Sequence, residues 1–301
     1  MTNILAIDIG GTFIKSTVID VSQGLPSALK DVQRTVTPVG ETDGALLIEA
    51  LLTIARDAMK SFTIEAIGVV TPGLLDEVAG VISYATNLNV RNLTLVEQLE
   101  SQLGVPVAFG HDGRASALAE LHVGAGVGLS NFALMPIGTG ISVGLVIDGE
   151  VPNSNGFIGE IGHANTGHDL PCGCGLTGCL EVVASTSGIA QRYEYETGVS
   201  KDSKEIFEAA HSGDEVALKI RDDAFDAIAY ACDWLMNTLS PQAVIFAGGL
   251  SGAGDLLLRE VDQRLSQRVS FQRKPELRIA TLGDDAGCLG AGLLAMKRVT
   301  A

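Results

Sequence analysis

The stretch from Gly159 to Glu181, GEIGHANTGHDLPCGCGLTGCLE, holds three of the five cysteines of the chain within eight residues. Glycines lie among Cys172, Cys174 and Cys179, so the backbone can turn tightly and bring the three sulfur atoms toward one point. A zinc ion takes four nitrogen or sulfur ligands in a tetrahedron, and His163 lies nine residues upstream of the first cysteine. The pattern predicts a closed Cys3His zinc site. A disulfide, or plain buried thiols, is the alternative that the spacing leaves open.

Composition limits the classes of protein to which the chain can belong. With 301 residues and 46% hydrophobic residues it can bury a large core and form two domains, yet no apolar run approaches the roughly 18 residues of a membrane span. A formal net charge of −16 argues against a nucleic-acid partner, because affinity for phosphate backbones depends on clustered Lys and Arg. No secretory signal is evident, so we expect a cytoplasmic protein with reduced thiols. Cys232 and Cys288 are predicted core residues.

Two carboxylates flank the cysteine-rich loop. Glu160 lies three residues before His163, and Glu181 lies two residues after Cys179. GEIGH followed by CxCGxxGCxE resembles the signature of the ROK family of bacterial sugar kinases and sugar-responsive repressors, and the resemblance extends over essentially the whole chain. In that family the zinc is structural and these residues hold sugar hydroxyls. The resemblance therefore implies that Glu160, His163 and Glu181 are sugar ligands.

The N-terminal segment Ile4–Asp20, ILAIDIGGTFIKSTVID, predicts two strands joined by a glycine turn. It is neither a Walker A loop, because no GK[ST] follows, nor a GxGxxG dinucleotide loop. Backbone amides of Gly10–Thr12 and the Thr12 hydroxyl could still hold phosphate oxygens, with Lys15 as a nearby positive charge and Asp8 placed to hold Mg²⁺ through water. An ordinary tight hairpin is the alternative.

A repeat strengthens the phosphate-loop interpretation. Shifting the sequence by 128 positions places Leu134–Asp148, LMPIGTGISVGLVID, over Ala6–Asp20 and matches Gly10 with Gly138. Internal similarity of this kind is a primary signal of fold, although chance identity between glycine-containing strand segments is possible. Two such hairpins predict the duplicated, actin-like fold of sugar kinases, with phosphate loops at Gly10–Thr12 and Gly138–Gly140.

Asp112 lies where a predicted strand, Val105–Phe109, gives way to a predicted helix, Arg114–Val123. A carboxylate directly before a helix commonly acts as its N-cap. In the ROK family this joint reads Asn-Asp, and the Asp is the catalytic base. Here it reads His111-Asp112, so the resemblance implies that Asp112 is the base and that His111 replaces a sugar-binding Asn. We expect His111 to alter sugar preference, or else to be structural and bonded to backbone.

Further binding residues are implied by the resemblance. Asn87, in the segment Asn87-Leu88-Asn89, matches the Asn that contacts sugar hydroxyls, and Gly248-Gly249 matches the pair that lies against adenosine. From the residues alone, a turn role is the better interpretation for Asn87, and Gly248-Gly249 could equally be a tight turn. The predicted nucleotide-binding set is Asp8, Gly10, Gly11, Thr12, Lys15, Gly138, Thr139, Gly140, Gly248 and Gly249.

Periodicity predicts the other elements between and after the two hairpins. Helices are expected at 44–60, 93–103, 186–196, 204–211, 214–239 and 285–296, and strands at 64–70 and 243–247.

The sequence as a whole predicts an α/β protein with a two-lobed, actin-like (ribonuclease H-like) sugar kinase fold and a central cleft. Residues 1–112, joined by a C-terminal helix at about 290–301, would form a small domain, and residues 113–289 a large domain that carries the zinc loop.

The expected activity is ATP-dependent phosphorylation of a hexose at its 6-hydroxyl, as in a glucokinase, with Mg²⁺ and structural Zn²⁺. The expected partners are a sugar and a nucleotide, without nucleic acid or membrane, in a homodimer. Kinases for N-acetylmannosamine, N-acetylglucosamine, fructose or mannose, and a polyphosphate donor, stay open. A non-catalytic sugar-responsive regulator is the alternative of another class.

Overall fold

The computed structural model describes residues 2–22, 24, 29 and 31–300 and shows a mixed α/β protein with two compact units. Unit 1 comprises Met1–Val127, Val151–Ile158 and Asp284–Ala301, and unit 2 comprises Gly128–Glu150 and Gly159–Gly283. No helix in these described ranges is long and apolar enough to cross a membrane.

Among its described residues, unit 1 contains eight strands and three α-helices before the chain enters unit 2. In chain order they are β1 (Asn3–Ile9), β2 (Phe13–Asp20), β3 (Gln33–Val36), α1 (Ala45–Ser61), β4 (Ile64–Thr71), β5 (Leu74–Asp76), β6 (Val81–Ala85), β7 (Val90–Leu93), α2 (Leu95–Leu103), β8 (Val107–His111) and α3 (Asp112–Val123).

Unit 2 contributes the middle of the chain, and a last helix returns to unit 1. The elements of unit 2 are β9 (Phe132–Pro136), β10 (Gly144–Val146), α4 (Leu180–Ala184), α5 (Thr186–Thr197), α6 (Ser203–His211), α7 (Glu215–Leu239), β11 (Ala243–Ala247), α8 (Asp255–Ser266) and β12 (Glu276–Ile279). The last helix is α9 (Ala286–Thr300).

The main sheet of unit 1 has the strand order β3-β2-β1-β4-β8. Strands β1 and β2 are antiparallel, as the predicted hairpin requires, whereas β4 runs parallel to both β1 and β8. Side chains alternate between the two faces of a strand. Leu5 and Ile7 of β1 accordingly join one core with α1 and α2, while Ala6 joins a second cluster with Ala115 of α3 and Ala291 of α9.

Helix α9 packs closely against β4 and α3 of unit 1 at glycine residues. A Cβ atom at Gly68 of β4 would lie 1.9 Å from the carbonyl oxygen of Ala291, and one at Gly290 would lie 2.2 Å from that of Ala115. The backbones of β4, α9 and α3 therefore approach more closely than larger residues would allow. This packing places α3 in unit 1, whereas the predicted boundary after residue 112 placed it in the second domain.

The sheet of unit 2 repeats the core of the first. Its order is β10-β9-β11-β12, with β9 antiparallel to β10 and with β11 parallel to β9 and β12. Order and strand directions match those of β2-β1-β4-β8. The strands of the second hairpin are shorter, with five and three residues against seven and eight in the first, and seven residues, 137–143, connect them. Topology therefore confirms the internal repeat that the glycine-containing segments indicated.

Most predicted elements agree with the structure within two residues. The boundaries around Asp112 differ from the prediction by two residues. The strand expected at 105–109 is β8 at 107–111, and the helix expected from Arg114 begins at Asp112. The His111 side chain accepts a hydrogen bond from the Gly113 N–H and is the N-cap. Asp112 is thus the first residue of α3 and not the cap before it.

Candidate active site

Asp8 of β1 and Lys15 of β2 form the charged centre of unit 1. They are register partners, with Lys15 Nζ 3.6 Å from Asp8 Oδ2 and donating at 3.1 Å to the carbonyl oxygen of Asp284. Burial, and then the nearby Asp112 carboxylate, raise the pKa of Asp8 to about 6, although Lys15 acts in the opposite direction. Two carboxylates that influence each other in this way are suited to sharing a divalent cation.

Asp284 was not found by sequence reasoning. The Arg34 guanidinium, 3.0 Å from Asp284 Oδ2, and then Lys15 hold the pKa of this carboxyl below its usual value. Asp284 lies two residues before α9 and far from Lys15 in sequence, so no local pattern could reveal the contact.

The predicted base, Asp112, lies at the N-terminus of α3. Its Oδ1 atom accepts from the Gly113 N–H at 2.6 Å and lies 3.1 Å from His111 Nδ1. The Asp112 side chain is 37% exposed, so a substrate can reach it, and the helix dipole favours a negative charge there. His111 is only 14% exposed and uses Nδ1 as the cap acceptor. Its predicted contact with sugar stays a prediction.

A buried ion pair supports this joint and was also missed by sequence reasoning. Glu77, just after β5, accepts through Oε1 from Arg114 Nη2 at 2.6 Å and Nε at 3.2 Å, and from the His111 backbone N–H at 3.0 Å. Its Oε2 atom accepts from Asn153 Nδ2. Arg114 is 7% exposed. The one feature of the sequence that could have indicated this ion pair is Arg114, because it lies in a helix segment, RASALAE, whose other residues are mostly small.

The predicted phosphate turn of unit 1 lies beside the predicted sugar ligand Asn87. Gly10 donates its N–H to the Phe13 carbonyl at 3.0 Å, and a Cβ atom at Gly11 would be 3.4 Å from Asn87 Cβ. Gly11, Thr12 and Asn87 are exposed. The structure therefore brings these residues to one surface of unit 1, together with a turn whose N–H groups could hold an anion.

In unit 2 the predicted sugar ligand Glu181 lies beside the predicted loop Gly138–Gly140. Glu181 Oε2 accepts from the Ile141 N–H at 3.0 Å, and a Cβ atom at Gly140 would lie 2.5 Å from the same oxygen. The Thr186 N–H donates to the Gly138 carbonyl at 2.8 Å, and the Ser187 hydroxyl donates to the Thr139 carbonyl. Thr186 and Ser187, which the sequence did not single out, thus hold the loop against the start of α5.

Gly248 and Gly249 approach the same loop. Gly248 has a φ of +77°, and a Cβ atom there would lie 2.6 Å from the Ile137 carbonyl oxygen, which accepts at 3.0 Å from the Leu250 N–H. A Cβ atom at Gly249 would be 3.4 Å from Thr186 Cγ2. Only glycine suits the backbone at 248, and the turn packs directly on the residue before Gly138.

The cysteine-rich loop brings its four predicted ligands together. One donor atom from each of His163, Cys172, Cys174 and Cys179 lies within 4.8 Å of all the others, and each of the five cysteines is free. The Cys174 and Cys179 sulfurs are 3.6 Å apart, and Cys172 Sγ is 3.9 Å from His163 Nδ1. Metal bonds of 2.0 to 2.3 Å in a tetrahedron correspond to ligand separations of about 3.4 to 3.8 Å. The Cys174–Cys179 separation lies in this range and the Cys172–His163 separation just above it, so the four residues are suited to a closed four-ligand site.

Charge also favours a cation at this cluster. Burial, and then the Cys174 and Cys172 thiols, raise the pKa of Cys179 to about 12. Three sulfurs this close cannot ionise together without a positive charge among them. His163 follows Glu160 in the turn Ile161–His163 and directs Nδ1 at the sulfurs, which leaves Nε2 as its second polar atom. One ring could therefore serve both predicted roles of His163.

The comparisons with known proteins agree with this geometry. The model of the ROK family matches residues 4–298. The chain belongs to the ROK family. The glucokinase of Halalkalibacterium halodurans is 33% identical over 98% of this chain and 95% of the relative.

Solved ROK structures share its fold. The ROK hexokinase from Thermus thermophilus is 30% identical, with a TM-score of 0.85 over 99% of each chain. A ROK glucokinase from Streptomyces griseus, solved in complex with glucose and AMPPNP, is 26% identical, with a TM-score of 0.82 over 98% of this chain and 99% of that one. The predicted family and the actin-like fold class are therefore confirmed.

Replacing Asp8 by Asn should stabilise this ROK protein at neutral pH, and the gain should vanish in acid. The pKa of Asp8 is about 6 in the folded protein against 3.8 for an ordinary Asp. Ionisation above pH 6 therefore costs the folded state about 3 kcal/mol, and this cost fades as the pH falls through the interval between these two pKa values. Urea unfolding without divalent cations, from about pH 4.5 to 8, measures the difference.

Asp284→Asn is the control for the Asp8 variant. The pKa of Asp284 is lowered rather than raised, so its ionised form favours the fold and its removal should not stabilise at any pH. An Asp8→Asn protein no more stable than wild type at pH 8 would contradict an unfavourable buried charge at Asp8.

Proposed function

We propose that this protein is an ATP-dependent sugar kinase that transfers the γ-phosphoryl group of ATP to the 6-hydroxyl of a hexose, with a glucokinase-like preference. The observation that carries the proposal is the placement of Asp112, an accessible carboxylate at the start of α3, beside Asp8 and Lys15 in unit 1. Near full-length similarity to a glucokinase supports the choice of sugar. Hexosamine, fructose and mannose are the competing substrates.

Asp112 accepts the proton of the sugar hydroxyl in this proposal. As the hydroxyl oxygen bonds to the γ-phosphorus, the bond from that phosphorus to the β,γ-bridging oxygen breaks and ADP leaves. Asp8 would hold the Mg²⁺ that accompanies the nucleotide, through water, and the bound ion would supply positive charge for the phosphoryl oxygens. Lys15 and the N–H groups of Gly11, Thr12, Thr139 and Gly140 contribute further positive potential, whereas the N–H groups of Gly10 and Gly138 donate to carbonyl oxygens of their own turns. The adenosine lies against Gly248 and Gly249, where a side chain would block its approach.

Sugar hydroxyls are assigned to five polar residues. We infer that Asn87, His111, Glu160, His163 and Glu181 contact the hexose. Polar groups that match hydroxyls in this way discriminate strongly between sugars, because a missing partner leaves a buried group unpaired. The homodimer expected from the family stays a prediction.

The reaction is tested by incubating the purified protein with ATP, Mg²⁺ and a panel of hexoses and measuring ADP release. Asp112→Asn should bind sugar normally and lower turnover by about a hundredfold or more, because the base is lost while the shape is kept. Asp214→Asn, which alters the N-cap of α7 in unit 2, is the control and should keep wild-type turnover. Hexose binding without ADP release in the wild type would instead support a sugar-responsive regulator.

We infer that the four-ligand cluster holds one structural zinc per chain. Cys174→Ser should release the metal and lower the stability of the loop that carries Glu160 and Glu181, because closed zinc sites contribute folding energy. Metal analysis together with thermal unfolding measures both effects. Cys232→Ala, in the core of α7, is the control that should keep the zinc. A metal content near zero in the wild-type protein, at full stability, would defeat the inference.

His111→Asn tests the proposed sugar contact at this position. Asn is also a favourable N-cap, so the variant should preserve the start of α3 and change only the groups offered to the sugar. We expect the ratios of kcat/KM among glucose, mannose and N-acetylmannosamine to change several-fold. Unchanged ratios would show that His111 serves as a helix cap alone.

A further inference from the structure

We propose that Glu77 is a positioning residue for the catalytic base, because its carboxylate fixes the backbone on both sides of Asp112. The inference rests on the proposed kinase function, in which Asp112 takes the proton of the sugar hydroxyl. Glu77 itself touches neither reactant in this proposal.

The contacts of Oε1 bracket Asp112 in sequence. The oxygen accepts from the backbone N–H of His111, one residue before the base, and from two nitrogens of Arg114, two residues after it. The His111 contact holds the end of β8, and the Arg114 contacts hold the first turn of α3. A single carboxylate oxygen therefore contacts both the last residue of the strand and the first turn of the helix.

The contacts are of the strong kind. Hydrogen bonds between an arginine and a carboxylate are charge-assisted and roughly twice as strong as neutral ones. The side chains of Glu77 and Arg114 are 18% and 7% exposed, so water competes weakly for either partner. Removal of one member of such a buried pair leaves the other charge uncompensated.

Glu77 is itself held rigidly. The preceding residue, Asp76, accepts through Oδ1 from the N–H groups of Val78 at 3.1 Å and Ala79 at 2.9 Å, which closes the turn around Glu77. On its other oxygen Glu77 accepts from Asn153, in the segment Val151–Ile158 of unit 1. That segment ends two residues before Glu160, a proposed sugar ligand. The carboxylate thus fixes two stretches of chain that lead to proposed site residues.

Small displacements of a catalytic group are costly. A shift of about 1 Å in a reacting group can lower the rate by about a hundredfold, even when binding is unaffected. Loss of the Glu77 charge should therefore reduce kcat while the sugar KM stays nearly constant. A merely structural role would lower stability and leave the kcat of the folded protein unchanged.

Glu77→Gln is the test variant, since it keeps the size of the side chain and removes its charge. We expect kcat to fall about 10- to 100-fold and the sugar KM to change less than about threefold, at a temperature where the variant is folded. Arg114→Lys, which keeps the positive charge but offers one nitrogen in place of two, should reproduce the effect in part. If Glu77→Gln does not fold, the same measurements of kcat and the sugar KM are made on Arg114→Lys.

Asp223→Asn is the matched control. Asp223 pairs with Arg192 in unit 2, with side chains 27% and 13% exposed, so its loss should lower the thermal midpoint comparably and leave kcat unchanged. A Glu77→Gln protein that keeps kcat within about twofold of wild type, and is merely less stable like the control, overturns the proposal.

Amide hydrogen exchange separates this inference from the proposed function. Exchange at His111 and Gly113 should become at least about tenfold faster in Glu77→Gln, and not in Asp223→Asn, whatever the activity. If the wild type phosphorylates no hexose, the kinase proposal fails and with it the assignment of a base. The exchange result then still decides whether Glu77 positions residues 111–113, and unchanged exchange overturns that as well.

Discussion

The close packing of α9 against the main sheet of unit 1 is the constraint on which the candidate base and cation-binding residues depend. Gly68, Gly287 and Gly290 lack the side chains that would hold the backbones apart, and a Cβ atom at Gly287 would lie 2.4 Å from Asp8 Oδ2. Because Asp8 alternates with Ile7 along β1, its side chain lies on the face covered by α9 and α3. The same contact that excludes water from Asp8 brings α3, and with it Asp112, to this face.

Burial of this kind explains why the acidic centre is electrostatically unusual. In a chain of net charge −16, a further buried carboxylate does not by itself stabilise the fold. The raised pKa of Asp8 shows that its surroundings disfavour the ionised form. Lys15 compensates in part. The negative charge at Asp8 is only partly neutralised, so a bound cation would stabilise it. Packing of the surrounding apolar core offsets the free energy that this buried charge costs the folded state.

In unit 2, the glycine loop at residues 137–141 is likewise held by contacts from segments that are distant in sequence. Backbone N–H and carbonyl groups of residues 137–141 are bound by the Glu181 carboxylate, the Thr186 N–H and the turn after Gly248. Glu181 directly follows the metal-ligand segment, since Cys179 and Leu180 precede it. A metal that fixes Cys179 would therefore also restrict the residue that holds the Ile141 N–H, so the cysteine-rich loop and the glycine loop are mechanically connected within one unit.

The sequence by itself determined the features that are local or repeated. Cysteines spaced among glycines predicted the four-ligand cluster, alternation and glycine turns predicted the two hairpins, and their similarity predicted the duplicated topology. These patterns can be read from the sequence because ligand spacing, strand periodicity and turn chemistry depend on residues that are close together in the chain.

Only the tertiary structure decided which distant groups meet. Glu77 and Arg114 are 37 residues apart, and Lys15 and Asp284 are 269 apart, so no local pattern could pair them. The start of α3 was misplaced for the same reason: His111 caps the helix while Glu77, from another loop, holds its backbone N–H. A propensity argument weighs the residues on either side of a boundary, whereas a partner supplied by the fold can move that boundary by two residues.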